Sequence, residues 1–191
     1  MKHKINLSFN RLQKYLITSQ LVLFLGIIIC IIIRPKGLRV DNGISYYGTH
    51  LNTLAAYTIS LAGSAFIAIL AAIKYIKKDY DSIRSFLFIL FPLTLTIILF
   101  PYNINSTYKT IHEYSGILIF IIQIIISLII LFKIYRDRFN IFLFIIQILG
   151  GLISAYYLLP SQGFLIQGQL LFQLAFGILI IRSSHLLTNE I

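Results

Sequence analysis

Charge is what this 191-residue chain has least of: Asp, Glu, Lys and Arg together make up 12%, and acidic residues number only 6. A water-soluble domain of this size cannot cover its surface with so few charges, so an ordinary soluble fold is excluded. Cysteine is nearly absent. The single Cys30 rules out an intramolecular disulfide and a cysteine-rich metal centre. No long linker, low-complexity tract or obvious internal repeat divides the chain, which leaves one domain. Two catalytic signatures are missing as well. No serine sits in a G-x-S-x-G setting, and His112-Glu113-Tyr114-Ser115-Gly116 lacks the second histidine of an H-E-x-x-H metalloprotease helix.

What fills the chain is apolar sequence. Hydrophobic residues reach 58%, and they gather in six runs, each about the 20 residues a helix needs to cross a hydrocarbon core. These are Tyr15–Ile33, Leu51–Ile73, Ser85–Phe100, Ser115–Phe132, Ile141–Leu159 and Phe164–Ile181. The expected fold is all-α, a polytopic transmembrane six-helix bundle. Residues 1–14 read as a basic N-terminal segment, 15–182 as the transmembrane domain and 183–191 as a short tail. Ile5, Phe9, Leu12 and Leu16 fall at helical spacing, which suggests an interfacial helix leading into the first span. That span runs into Arg34-Pro35-Lys36 without a small-x-small cleavage pattern, so an uncleaved signal anchor is expected.

The formal net charge is +10, but its distribution speaks for a membrane rather than nucleic acid. Twelve basic residues lie before span one, between spans two and three, between four and five, and after span six; only Arg34, Lys36, Arg39 and Lys109 lie on the other side. Such asymmetry orients membrane proteins with the richer side inward, placing both termini in the cytoplasm. Membrane lipids are the expected partners, with a second copy or another membrane protein as a further possibility and no nucleic acid. The Ile-rich, Lys-leaning usage points to the plasma (inner) membrane of a prokaryote.

Within the spans, small and polar residues are patterned. Ala56, Ser60, Ser64, Ala68 and Ala72 recur every four residues beside Gly63, which marks span two as the central, most buried helix. Pro92 interrupts span three, with Thr94 and Thr96 available for the backbone groups it frees. Polar stripes run along span four (His112, Gly116, Gln123, Ser127), span five (Gln147, Gly150, Gly151, Ser154) and span six (Gln162, Gln169, Gln173, Gly177). Polar groups in hydrocarbon need partners, so these stripes should face the bundle interior.

Most of the chemically able residues lie on the external side. Asp41, Ser45, Tyr46 and His50 come from the first loop, His112 and Glu113 from the second, and Gln123 and Gln169 line the interior below. These eight are the candidate ligand-binding residues. A metal site from His50, His112, Asp41 and Glu113 has suitable ligand types, and bis-histidine haem would need both rings deeper and facing each other. Neither is the expected use, and no cofactor or metal is assigned. His112 beside Glu113 could act in general acid–base chemistry. The ordinary role for both histidines is a hydrogen-bonded cap in the headgroup layer.

Two stretches resemble a known group. Gly37 followed by Asp41-Asn42-Gly43-Ile44-Ser45-Tyr46-Tyr47-Gly48 is similar to the first external loop of a widespread bacterial six-span family of unknown function. Phe100-Pro101, then His112, Gly116 and Phe120, resembles that family's segment joining spans three and four. The six-span plan is shared with the damage-regulated autophagy modulator-like membrane proteins. Asn103 stands where that family typically carries an acid after Phe-Pro. The resemblance implies a six-helix architecture with a site at the outer mouth, and no particular reaction.

The leading expectation is a non-enzymatic bundle that binds or organises lipid or another amphiphile at that mouth. A small transporter or transporter subunit with a Gln-lined interior, and a membrane enzyme using His112 and Glu113, are the alternatives. A binding module needs a pocket closed at mid-depth, a transporter a continuous polar path, and an enzyme a histidine within reach of a carboxylate.

Overall fold

Helix ends are set by side chains that satisfy the first free backbone N–H groups. Asn10 accepts from the backbone N–H of Gln13 at 2.7 Å, Asn105 from Tyr108 at 2.9 Å and Asp137 from Asn140 at 2.7 Å. The helices these caps open belong to a computed structural model describing residues 10–40, 42–156 and 164–188. Six long helices result: α1 Arg11–Ile33, α2 Leu51–Tyr75, α3 Lys78–Leu99, α4 Ser106–Ile134, α5 Arg138–Tyr156 and α6 Leu165–Leu187. Each is long and apolar enough to cross a membrane. No β-strand occurs among the described residues; Ile76 and Thr188 meet in a single antiparallel bridge.

Several boundaries differ from those drawn on hydrophobicity. α4 begins at Ser106 rather than at the apolar onset Ser115, because the Asn105 cap sets its start. α6 continues past Ile181 to Leu187, taking in part of the expected tail. Residues 11–14 belong to α1 itself; residues 1–9, with Ile5 and Phe9, lie outside the described residues. Helix α3 runs through Pro92, yet the Thr94 and Thr96 hydroxyls donate to the carbonyls of Leu90 (2.7 Å) and Pro92 (2.9 Å). They do not reach the Phe88 carbonyl that Pro92 leaves without its helical partner.

Sequence neighbours pack as pairs, α1 on α2, α3 on α4 and α5 on α6, and α6 also touches α1 and α4. The α5–α6 contact is closest. A Cβ added to Gly150 would lie 2.5 Å from the Phe172 backbone nitrogen, so only hydrogen fits there. On the other side α1 meets the small-residue stripe of α2. Gly26 sits against Ser60, and the Ser19 hydroxyl donates to the Ser64 carbonyl at 2.8 Å. A π-helical turn, Ile59–Gly63, lies at this crossing.

The expectation that span two is the most buried is corrected. Half of the apolar window of α6 is buried, against a third for α2. Small residues let α1 approach one side of α2, but Leu51, Leu54, Ile59, Phe66 and Ile73 leave its other side exposed. Helix α6 buries Phe172, Phe176, Leu179 and Ile180 between its neighbours.

Two ends can be distinguished. The loop end carries two 3-10 turns, Pro35–Arg39 and Gly43–Thr49, and the short α3–α4 connection. The terminal end gathers Leu12, Leu16, Ala72, Ile83, Ile126, Ile130, Leu179 and Leu187 into one buried apolar cluster.

Candidate functional site

The loop-end site is built on the Gly43–Thr49 turn. Gly43 has φ 57°, in the left-handed region where side chains are strained. A Cβ there would also lie 2.3 Å from Gln169 Oε1. That oxygen accepts the backbone N–H of Ile44 at 2.8 Å, so α6 holds the turn in place. Gln167 adds a second tie, donating to the Leu38 carbonyl at 3.0 Å. At the far end of the turn Gly48 lies directly under the Tyr57 ring, within 2.5 Å of where its Cβ would be.

Pro101 explains the position of His112. It has no N–H, so the Ile97 carbonyl four residues earlier loses its helical donor. His112 Nδ1 replaces that donor, lying 3.1 Å from the Ile97 oxygen and 3.0 Å from that of Phe100. Carbonyls only accept, so the ring proton is on Nδ1. Nε2 is then an acceptor, and the Ser45 hydroxyl lies 2.7 Å from it. Tyr57, almost wholly buried, lies beside Ser45. The Tyr102 ring packs edge-on against His112 with centroids 5.7 Å apart.

Below Ser45 a cavity of about 180 Å³ opens between α1, α2, α3, α4 and α6. Its walls are mostly apolar, among them Leu23, Leu61, Leu90, Phe120 and Phe172. One polar line crosses it: Gln123 Nε2 donates to Gln173 Oε1 at 2.9 Å, and Gln173 Nε2 to Gln20 Oε1 at 3.3 Å. The lining stops near Gln123 and Phe176. Farther toward the terminal end, Ser127 and Gln147 are fully buried and bonded to each other at 2.7 Å.

Ser45, Tyr46, His50 and His112 come together at one end. His50 Nδ1 donates to the Tyr46 carbonyl (2.9 Å) and toward Thr49 Oγ1 (3.0 Å), its ring tilted 47° against that of Tyr46 with centroids 4.4 Å apart. Arg34 Nε donates to the Tyr46 hydroxyl at 2.8 Å. Tyr102 lies near Thr49 and packs against His112, between the His50 side and the His112 side. Gln123 and Gln169 both line the cavity. Glu113 does not take part: it is exposed and pairs with Lys109 at 3.8 Å. Adjacent helix residues point to different faces, so sequence proximity to His112 gives no shared site. Glu113 thus lies outside the hydrogen-bonded network of His112. Gly116 is also corrected, since no atom lies within 4 Å of where its Cβ would be. Asp41 and Gln162 lie outside the described residues.

Burial pushes the Tyr47 phenol up to about 12, helped by Cys30 and Tyr46 nearby. Burial likewise raises Tyr102, against the opposing hydrogen bond from Thr49. Both phenols therefore stay neutral; the Tyr47 hydroxyl is buried with no hydrogen-bond partner among the described residues, so that ring acts by packing. The residues that single-helix patterns missed are Gln20 and Tyr57. A lone glutamine in an apolar run and a tyrosine about two turns into a span carry no signal until their partners are known. No known family, curated protein or solved structure matches this chain.

Proposed function

We propose that the chain is a multi-pass membrane protein of a prokaryotic plasma membrane, termini inside, that binds one small amphiphile or a single lipid chain beneath the Gly43–Thr49 turn. The observation that carries this reading is a cavity that begins at Ser45 and ends at mid-depth, where the apolar cluster of the terminal end takes over. A volume of about 180 Å³ falls below the roughly 300–1,000 Å³ of drug-sized sites, so it suits one short chain rather than a whole phospholipid. The wall composition fits an apolar body, with Gln20, Gln123 and Gln173 as polar contacts. Ser127 and Gln147, bonded to each other in full burial, do not extend the lining, which favours binding over transport. The likeness to the six-span family, with its outer-mouth residues, is consistent with this.

Lipidomics of the purified full-length protein tests the reading. One chain-bearing molecule per protein, enriched over the bulk lipid, is expected; bulk composition alone contradicts it. For orientation, a Ser82→Cys variant lacking Cys30 should resist an impermeant thiol reagent in intact cells, and labelling there contradicts the inward placement.

A further inference from the structure

We propose that Ser45 is a nucleophile with His112 as its general base, and that the cavity receives the acyl chain of a small carboxylic ester. This rests on the pocket reading above and adds a reaction to it. A working serine nucleophile needs a base within hydrogen-bond reach and a third group that orients the base. Ser45 Oγ and His112 Nε2 are 2.7 Å apart although 67 residues separate them in sequence. The orienting role usually taken by a carboxylate is filled here by two carbonyl oxygens, of Phe100 and Ile97. They fix the proton on Nδ1 and leave the Nε2 lone pair facing the hydroxyl. Ser45 lines the cavity, whereas His112 stands behind it and is not part of the lining.

The reaction balances without a redox partner. Ser45 Oγ bonds to the ester carbonyl carbon while its proton passes to His112 Nε2. The carbon–oxygen bond to the alcohol then breaks, and the alcohol leaves with that proton. Water attacks the acyl group on Ser45, giving a proton to Nε2, and the carboxylic acid departs as the proton returns to Ser45 Oγ. Tyr57 lies beside Ser45 and also lines the cavity, so in this proposal its O–H is the donor offered to the ester carbonyl oxygen as charge develops there. The apolar walls at Leu23, Leu61, Leu90, Phe120 and Phe172 hold the chain.

The competing explanation is that His112 only caps the carbonyls at the end of α3. His112→Asn separates the two roles, because its amide N–H can still donate to those carbonyls while nothing remains to take the Ser45 proton. The full-length protein in detergent is treated with a short-chain alkyl fluorophosphonate, and the adduct is mapped by peptide mass spectrometry. Modification of Ser45 is expected, slowed by about 10²-fold or more in His112→Asn at an unchanged melting temperature, the share a general base supplies. Ser45→Ala should carry no adduct at this peptide. Absence of a Ser45 adduct in wild type overturns the proposal, as does a His112→Asn rate within a few-fold of wild type. Ligand retention without labelling overturns the nucleophile alone. His112-dependent labelling of a protein that retains no ligand supports the nucleophile and defeats the binding reading.

Discussion

The two ends of the bundle bury polar groups for different purposes. At the terminal end Ser184 donates to the Ile181 carbonyl, Asn140 to that of Tyr135, and Asp137 caps α5; bonds between helices there, Ser127 to Gln147 and Arg182 to Asp137, involve no residue of the cavity lining. The first three fasten helix ends around an apolar cluster. At the loop end the bonds join distant segments, Ser45 to His112, Ile44 to Gln169, and Gln20 through Gln173 to Gln123. They converge around a cavity instead of filling it. Polar burial alone does not mark a site; polar groups tied across distant segments around open space do.

The largest contrast should come from truncating one residue in each region. Ile126→Ala, in the fully buried cluster, should cost about 2–5 kcal/mol in detergent unfolding, as core truncations do. Ile119→Ala, on the cavity wall, should cost clearly less, because space is already present beside it. Equal losses would mean the two halves are packed alike.

Glycine substitutions sharpen the contrast along helix faces. Gly150→Ala pushes a methyl against the α6 backbone and should destabilise by about 1–3 kcal/mol, as overpacking does. Gly116→Ala meets nothing and should leave stability unchanged or raise it by about 0.4–1 kcal/mol. Melting curves of the two variants decide this, and a Gly116→Ala loss matching that of Gly150→Ala would break it.

His112 tests whether the loop-end network has a structural share. His112→Ala should cost about 0.5–2 kcal/mol, the range of a lost cap, whereas His112→Asn should recover most of it. Indistinguishable unfolding of the two variants would show that the bonds to Ile97 and Phe100 contribute little.

The smallest effect belongs to the terminal end. The backbone N–H of Asn140 and then Arg182 hold the Asp137 carboxyl below its usual range. Its folded value is depressed, so its contribution is present at neutral pH and fades as pH falls through that lowered value. Asp137→Asn should flatten the acid limb of the stability profile. An unchanged acid limb would count against the cap and the ion pair.

Much of the architecture was legible because each span carries its own signal. Apolar length gave six helices, and positions such as Ser60, Ser64, Gln147, Gly150 and Gly177 lie buried. What a single helix does not encode is its neighbour. The greater burial of α6 depends on contacts with α1, α4 and α5 together. The π turn Ile59–Gly63 shifts the faces of α2 partway along. Ala68 illustrates the consequence: the four-residue stripe places it at a helix contact, but it lines the cavity. The pairing of Ser45 with His112 needed the three-dimensional meeting of the Gly43–Thr49 turn with helix α4, and Glu113, next to His112 in sequence, pairs instead with Lys109.

The central claim is that the loop-end cavity holds a ligand, and Ala68→Leu tests it most directly. The added side chain enters the space beneath Ser45, on the cavity side of Leu87, Leu90 and Phe176. Native mass spectrometry of the wild-type protein should find one bound small amphiphile or lipid chain, absent or strongly reduced in Ala68→Leu at a similar melting temperature. Equal retention by both proteins, or by neither, would contradict the account.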